Sequence, residues 1–320
     1  MGFFMADEIV KNRTIDQIRR SLGSELSNLL ERSDTVELML NPDAKLWIER
    51  LGSAPCYTGI TISPAKALQI LQTIASFHGR VVNSEHPILE CELPLDGSRF
   101  AGQIPPCVAA PSFTIRKKAI AVFTLDDYVA SNIMTERQKE IILDAVARHK
   151  NILVIGGTGS GKTTLINAII QAMVVNNPLE RVVIIEDTGE IQCTAQNYVQ
   201  FHTAPNVSMS ALLKTTLRMR PDRILVGEVR GAEALDLLMA WNTGHEGGSA
   251  TVHANNPRAA LDRVAMMVSM ARDYPKPIEP LIAEVCSFIV HIGRVDGSRK
   301  VKSILRVDGY RNGDYITTEL

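Results

Sequence analysis

The chain has 320 residues, of which 45% are hydrophobic and 22% are charged, so it can bury a sizeable core, and its length favours two domains over one. A formal net charge of -1 excludes the general basic surplus that is typical of proteins that track nucleic acid. No apolar run approaches the roughly 20 residues that a membrane-spanning helix needs.

The N-terminal residues and the cysteines indicate the cytoplasm. The first eight residues have no basic segment followed by a long apolar one, which argues against a secretory signal, and Ala6 does not fit the myristoylation pattern. The five cysteines are odd in number, widely spaced and never in a C-x-x-C pair. This pattern predicts reduced thiols and no zinc site.

The first 128 residues predict a small mixed α/β domain. Apolar residues recur at helical spacing near the N-terminus, and short alternating runs flanked by turn residues follow. The predicted elements are a helix over 14–31, strands over 36–40 and 46–50, a helix from 64 to about 78, strands over 89–95 and 99–104 around Asp96-Gly97, and a strand over 112–117.

A second domain is predicted over 136–320, after a linker over 129–135. Thr135 and Gln138 have capping-box spacing and open a helix that runs to about Arg148. Continuous apolar strands then alternate with helices, and the strands are predicted at 151–155, 181–186 and 223–228. Such strands are typical of a mostly parallel sheet with both faces covered.

Residues 156–163 read Gly-Gly-Thr-Gly-Ser-Gly-Lys-Thr, a complete G-x-x-x-x-G-K-[ST] phosphate loop between a strand and a helix. Its backbone N–H groups and the dipole of the following helix suit a phosphate chain, so the chain is predicted to bind a nucleoside triphosphate. The predicted roles are Lys162 on the β- and γ-phosphates, Thr163 on Mg²⁺ and Thr164 at the α-phosphate. The loop residues predicted to surround the phosphates are Gly156, Gly157, Thr158, Gly159, Ser160 and Gly161.

Two apolar strands end in carboxylates, where α/β sheets place their chemistry. The first is followed by Glu186, Asp187 and then Glu190, which either hold metal-bound water or are ordinary solvated acids at a loop start. The second ends at Glu228, in the Walker B position but preceded by glycine. A carboxylate here binds Mg²⁺ through water or accepts a proton from the attacking water.

A glycine-rich segment from 243 to 253 carries two histidines. His245 and His253 are predicted to contact a phosphate oxygen or to sense its loss, whereas either histidine alone would more simply be a hydrogen-bonded structural residue. Beside the phosphate loop, the two histidines together are candidates for nucleotide sensing.

In order and spacing, these four blocks resemble the Walker A, Asp box, Walker B and His box of the secretion-ATPase superfamily, which serves type II secretion, type IV pili and type IV secretion. The resemblance is dense over 151–263, especially in Leu-Arg-Met-Arg-Pro-Asp-Arg-Ile-Leu-Val-Gly-Glu-Val-Arg-Gly and Gly-Gly-Ser-Ala-Thr-Val-His-Ala-Asn-Asn. Within the superfamily the chain is most similar to the TrbB-type conjugal-transfer ATPases. It lacks the tetracysteine zinc module and longer N-terminal region of the large assembly ATPases, which leaves pilus retraction motors as the nearest alternative.

The resemblance implies a homohexameric ring in which each C-terminal domain is RecA-like and nucleotide lies between the two domains. It implies phosphate contacts by Arg99 and Arg116 of the N-terminal domain, with Arg218, Arg220 and Arg230, which flank the Walker B strand, as further candidates. It also implies hydrolysis that drives domain motion. Glu228 is the first choice for activating water and Glu186 the second, and Thr163, Glu186 and Glu228 are the predicted ligands of Mg²⁺, partly through water.

The resemblance further implies a cytoplasmic protein, peripheral to the inner membrane, that docks on inner-membrane secretion-complex proteins. No direct sequence-specific binding of nucleic acid is expected. Three other classes remain open from the residues alone: a RecA-like nucleic-acid motor, an ATP-gated scaffold with little hydrolysis, and a small-molecule kinase. The transported cargo, whether DNA or pilin, leaves no readable pattern in the sequence.

Overall fold

The computed structural model describes residues 2–50, 53–118, 123–204, 206–295 and 298–320, with side chains from residue 15 onward. It divides into two compact units, Met1–Ile120 and Ala121–Leu320. The second unit begins earlier in the chain than the predicted boundaries at 128 and 136. It includes helix α3 (Leu125–Ala130), whose Leu125 and Tyr128 are buried in its core.

Unit 1 is a six-stranded antiparallel sheet in the order β3-β2-β1-β6-β5-β4, with two helices. The apolar side chains of alternate strand positions form one core with those of the helices, including Leu38, Ile48 and Phe100. The elements are α1 (Gly2–Glu31), β1 (Thr35–Leu40), β2 (Lys45–Arg50), β3 (Cys56–Thr61), α2 (Pro64–Phe77), β4 (Ile88–Glu92), β5 (Arg99–Gln103) and β6 (Ser112–Arg116).

Most predicted elements of unit 1 are confirmed, and the first helix has an unforeseen break. Ile18, Leu22, Leu26 and Leu30 are buried as their spacing predicts. Gly23 interrupts α1 with φ 81° and ψ 168°, a conformation that glycine adopts without steric cost. Strand β3 is also new, because its Cys-Tyr-Thr-Gly-Ile-Thr sequence has no apolar alternation to signal it.

Unit 2 is an eight-stranded sheet in the order β14-β13-β12-β7-β11-β10-β8-β9. The six strands from β12 to β9 in that order are parallel, and β13 and β14 extend the sheet as an antiparallel hairpin. Its elements after α3 are α4 (Glu136–Ala147), β7 (Ile152–Ile155), α5 (Lys162–Asn176), β8 (Val182–Glu186), β9 (Tyr198–His202), α6 (Met209–Thr216), β10 (Arg223–Val229), α7 (Glu233–Trp241), β11 (Ser249–Val252), α8 (Pro257–Val268), α9 (Glu279–Val285), β12 (Phe288–Val295), β13 (Ser298–Arg311) and β14 (Asp314–Glu319).

The mostly parallel sheet and the Thr135–Gln138 capping box are confirmed. Strands β7, β8 and the first part of β10 are buried at every position, because apolar clusters cover both faces of the sheet. The sequence predicted no strand after the His box, whereas three strands over 288–319 complete the sheet. One of them, β12, pairs directly with the phosphate-loop strand β7.

A buried arginine, Arg223, links neighbouring elements at the end of this sheet where the parallel strands begin. Arg223 is fully buried and pairs with the carboxylate of Glu180. It also donates to the carbonyl oxygens of Gly247, at 2.8 Å, and Val146, at 3.2 Å. These bonds connect strand β10 to α4 and to the turn that leads into β11.

Arg223→Ala is expected to lower the free energy of unfolding by about 3–5 kcal/mol, because the buried Glu180 carboxylate loses its arginine and keeps only His149 and Asn177 as side-chain partners. Urea denaturation measures this change. The matched control is Arg306→Ala, since Arg306 pairs with Asp308 in a partly exposed ion pair worth about 1 kcal/mol or less. Equal losses for both variants would contradict the assignment of Arg223 as a buried fastening residue.

Candidate nucleotide-binding site

The phosphate loop lies between β7 and α5, as its flanking sequence predicts. Gly161 is the N-cap of α5 with φ 96°, in the left-handed region that favours glycine. At Gly156, a Cβ atom would come within 2.1 Å of the Ile292 carbonyl oxygen on β12. Glycine is therefore required at both ends of the loop, for conformation at Gly161 and for close packing at Gly156.

Lys162 begins α5 and is directed into the loop. Its side chain is largely buried, and its Nζ donates to the carbonyl oxygens of Gly156 and Gly157, each at 3.0 Å. The Nζ also lies 3.4 Å from Nε2 of His253. Burial, and then the positive charge of Lys162, lower the pKa of His253.

Glu228 stands near the end of β10, between β11 and β8. Its Oε2 accepts from Nη2 of Arg230 at 2.6 Å, and its Oε1 lies 2.8 Å from Nε2 of His253. The bond to Glu228 raises the pKa of Arg230. His253 thus touches both Lys162 and Glu228, so three predicted site residues converge.

The glycine before Glu228 has a packing reason. A Cβ atom at Gly227 would lie 2.8 Å from the Cβ of Glu186 on the adjacent strand β8, which is closer than real Cβ contacts come. The Gly227 carbonyl also accepts from the Thr251 hydroxyl of β11 at 2.6 Å. The absent side chain lets the three strands approach where the carboxylates stand.

Glu186 is directed into its own loop. It is 2% exposed, and its Oε2 accepts from the backbone N–H groups of Glu190 at 2.8 Å and Ile191 at 3.0 Å. Its Oε1 accepts from the side-chain amide of Gln200. Burial raises the pKa of Glu186 in spite of these bonds. The bonds themselves show that Glu186 holds its own loop in place.

Glu190, the third carboxylate of the Asp box, reaches the phosphate loop instead. Its Oε2 accepts from the Thr163 hydroxyl at 3.3 Å. Asn167 on α5 holds the same loop, donating to the Glu190 carbonyl and accepting from the Gln192 N–H at 3.1 Å. The sequence noted Glu190 but did not choose it, because three closely spaced acids offer no signal of which one faces α5.

The two histidines are separated. His253 lies with Lys162 and Glu228, whereas Nδ1 of His245 lies 3.0 Å from the carbonyl oxygen of Pro221, just before β10 begins. Since Glu228 lies near the end of β10, about 17 Å of strand separates it from Arg223, the first residue of β10, and Pro221 comes two residues before Arg223. The structure does not bring His245 to the phosphate loop of its own chain.

Arg99 and Arg116 belong to unit 1 and lie directly opposite each other on β5 and β6. Glu92 is opposite Arg99 on β4, and Glu37 is opposite Arg116 on β1. Arginines in opposed positions repel unless anions accompany them, and this row supplies carboxylates on both sides. Burial raises the pKa of Glu37, against the attraction of Arg116.

Among the described residues, no helix is both long and apolar enough to cross a bilayer, and no group of three or more His, Cys, Asp or Glu residues is arranged to hold a metal ion. The five cysteines carry no disulfide. Oxygen ligands from Thr163 and Glu190 form a smaller set, which suits a hard cation bound partly by phosphate and water.

A family model described as Type II/IV secretion system protein matches residues 35–300. The chain belongs to this family. It is 47% identical over 303 residues to a probable conjugal transfer protein TrbB of Sinorhizobium fredii, covering 95% of this chain and 92% of the relative. A conjugal transfer protein TrbB of Rhizobium radiobacter is 45% identical over 305 residues, covering 95% of this chain and 94% of the relative.

These relatives confirm the resemblance to the TrbB-type proteins. Among solved structures, the ATPase DotB of Legionella pneumophila aligns with a TM-score of 0.61 at 19% identity, covering 86% of this chain and 78% of that chain. At that level of identity the match shows a shared fold. The mixed α/β architecture of this chain is thus shared with the ATPase DotB.

Proposed function

We propose that this protein hydrolyses ATP and, as a homohexameric ring, powers conjugative transfer or type IV secretion. The observation that carries the proposal is the convergence of Lys162 and Glu228 on His253, at 3.4 Å and 2.8 Å. A phosphate-binding lysine and a strand-end carboxylate so placed are the minimum that water attack on a γ-phosphate needs. The names of the conjugal transfer relatives support the choice of process.

In the proposed site the loop amides and Lys162 bind the β- and γ-phosphates. The Nζ bonds to the carbonyl oxygens of Gly156 and Gly157 hold the ammonium group inside the loop before nucleotide arrives. Thr164, in the first turn of α5, contacts the α-phosphate. Because the cationic group is already oriented, little reorganisation accompanies binding.

Mg²⁺ fits beside Thr163, where a hydroxyl and the Glu190 carboxylate lie 3.3 Å apart. Thr163 would bind the ion directly, and Glu190 would bind it through water. When bound, the ion neutralises charge on the phosphates. In this proposal Glu186 is not a ligand of the ion. It holds Glu190 in place instead, since its oxygens accept from the N–H groups of Glu190 and Ile191 and from the Gln200 amide.

Glu228 orients the attacking water and accepts its proton. With a lowered pKa, His253 is neutral at neutral pH and offers one ring N–H to the Glu228 carboxylate or to the γ-phosphate. Arg230 neutralises Glu228 in the nucleotide-free protein and is expected to turn toward phosphate charge when ATP binds. His245, outside this cluster, is not assigned a catalytic step within its own chain.

Arg99→Ala or Arg116→Ala is expected to reduce the ATPase rate by about tenfold or more, because each removes one charge-assisted contact to the γ-phosphate while the other remains. Steady-state phosphate release measures the loss, with ADP affinity as the internal reference. Arg80→Ala is the matched control, since Arg80 donates to the Glu90 carbonyl and stands outside the arginine pair. Full activity in both variants would remove unit 1 from the catalytic site.

The proposed ring consists of six copies of the chain, and each copy contributes a RecA-like domain, unit 2, and an N-terminal domain, unit 1. Charge on the γ-phosphate holds the two domains of the site closed, and its release weakens that clamp. Each turnover then produces rigid-body motion. The protein acts at the cytoplasmic face of the inner membrane, docked on secretion-complex proteins.

Light scattering after size exclusion, with and without Mg-ATP, tests the ring, and phosphate release tests hydrolysis. A hexamer with steady turnover is the expected result. A strictly monomeric and inactive protein under both conditions contradicts the ring motor. A hexamer whose phosphate release equals that of its Glu228→Gln variant identifies an ATP-gated scaffold instead.

A further inference from the structure

Arg299, on β13, approaches the phosphate loop from the side opposite to Glu228. A Cβ atom built on Gly161 would lie 3.3 Å from Cδ of Arg299 and 3.5 Å from its Nε. The side chain therefore lies against the N-cap of α5, the positive end of the helix dipole, which is favourable for anions. No sequence motif marks this arginine, because it follows the His box by almost 50 residues.

The Nε of Arg299 is buried and has no hydrogen-bond partner among the described residues. Its guanidinium carries positive charge close to Tyr128 of α3, where it opposes the rise in the pKa of that phenol. A buried donor without an acceptor is destabilising, because it has lost its hydrogen bonds to water. An arginine kept in such a position beside an anion-binding loop is typical of a group that completes its hydrogen bonds on a ligand.

The strand order indicates which end of the nucleotide Arg299 meets. The sheet runs β13-β12-β7-β11-β10, so the phosphate-loop strand separates Arg299 from Glu228 and His253. Four strand spacings place β10 and β13 about 19 Å apart. Because the γ-phosphate must lie near Glu228, the phosphate chain extends over β7 toward β12 and β13 with its nucleoside end there.

We infer that Arg299 binds the α-phosphate and nucleoside end of the nucleotide, the part that ATP and ADP share. This inference rests on the proposed function and adds a binding residue from outside the four motif blocks. Arg299 holds nucleotide before and after hydrolysis alike. Its contribution is therefore to affinity for both nucleotides, whereas Lys162, Arg99 and Arg116 serve the charge that changes in the reaction.

Calorimetric titration with ATP and with ADP tests the inference. The ATP titration uses Mg²⁺ and the Glu228→Gln variant, which prevents turnover. Arg299→Ala is expected to weaken binding of both by a similar factor, about tenfold or more. Arg299→Lys, which keeps the charge, is expected to recover part of the affinity. In the chain with Glu228 intact, the kcat at saturating ATP should stay within about twofold of the unsubstituted protein.

Arg306→Ala is the matched control. Arg306 is on the same strand as Arg299, but it pairs in register with Phe288, at the end of the strands opposite to the phosphate loop. Thermal unfolding without nucleotide separates binding from folding. Removing a donor that lacks a partner should leave that midpoint unchanged or higher, while the increase caused by ADP shrinks. A lower midpoint without nucleotide, together with unchanged affinity, would identify Arg299 as structural.

The outcomes distinguish the two proposals. If the unsubstituted protein and Arg306→Ala bind both nucleotides and Arg299→Ala does so equally well, the inference about Arg299 is wrong and the proposed function stands. A loss confined to ATP is also contrary, since it would place Arg299 at the γ-phosphate. If the unsubstituted protein binds neither nucleotide, the proposed function itself fails.

Discussion

Lys162→Ala is expected to abolish ATP turnover, with a loss of roughly 10³-fold or more, while the chain still folds. The Nζ of Lys162 is the cation held inside the phosphate loop by the carbonyl oxygens of Gly156 and Gly157. Alanine removes the charge that neutralises the β- and γ-phosphates in the transition state. Steady-state phosphate release measures the loss, and circular dichroism with thermal unfolding measures the fold.

Lys150→Ala is the control for this substitution. Lys150 is exposed and lies two residues before β7, at the end of that strand opposite to the phosphate loop. It changes the same charge without touching the site, so its turnover should match that of the unsubstituted protein. Retained turnover in Lys162→Ala would show that residues 156–163 are not the phosphate loop of an ATPase.

Glu228→Gln is expected to slow hydrolysis by about 10²–10⁴-fold while Mg-ATP still binds. Glutamine preserves the side-chain length and an oxygen for Arg230, but it cannot accept a proton from water. Single-turnover phosphate release measures the chemical step, and calorimetric titration measures binding. Glu284→Gln, an exposed position on α9, is the control and should retain full activity.

Glu186→Gln and Glu190→Gln distinguish the role of holding the loop from the role of binding Mg²⁺. Since Glu186 accepts the N–H groups of its own loop, Glu186→Gln should lower stability along with activity. Glu190→Gln should raise the Mg²⁺ concentration needed for half-maximal rate, because Glu190 faces Thr163. If Glu186→Gln alone slowed the chemical step with binding and stability intact, the roles of Glu186 and Glu228 would be exchanged.

The residues of the phosphate loop and the strand-end position of Glu228 are predictable from sequence because their signals are local. A glycine-rich turn between an apolar strand and a helix needs no distant information, and the same holds for the Thr135–Gln138 capping box. The reason for Gly227 is not local. A side chain at Gly227 would clash with the Cβ of Glu186, about forty residues earlier in the chain. Only the pairing of β10 with β8 brings the two residues together.

The choice among similar side chains was also beyond sequence. Glu186 and Glu190 are four residues apart and chemically alike, yet one is buried under backbone N–H groups and the other meets Thr163. His245 and His253 occupy one glycine-rich segment, but β11 carries only His253 toward Lys162. Both distinctions depend on the direction that the chain takes after β8 and around β11.

By itself, the sequence determined the parallel sheet, the positions of Lys162 and Glu228 at strand and helix ends, and the family, since each is written in contiguous or regularly spaced residues. Only the tertiary structure decided that Glu190 accompanies Thr163, that His245 stands apart, and that Arg299 reaches Gly161 from β13. Those contacts join segments far apart in the chain, and their geometry is set by strand order and packing, which no local pattern of residues encodes.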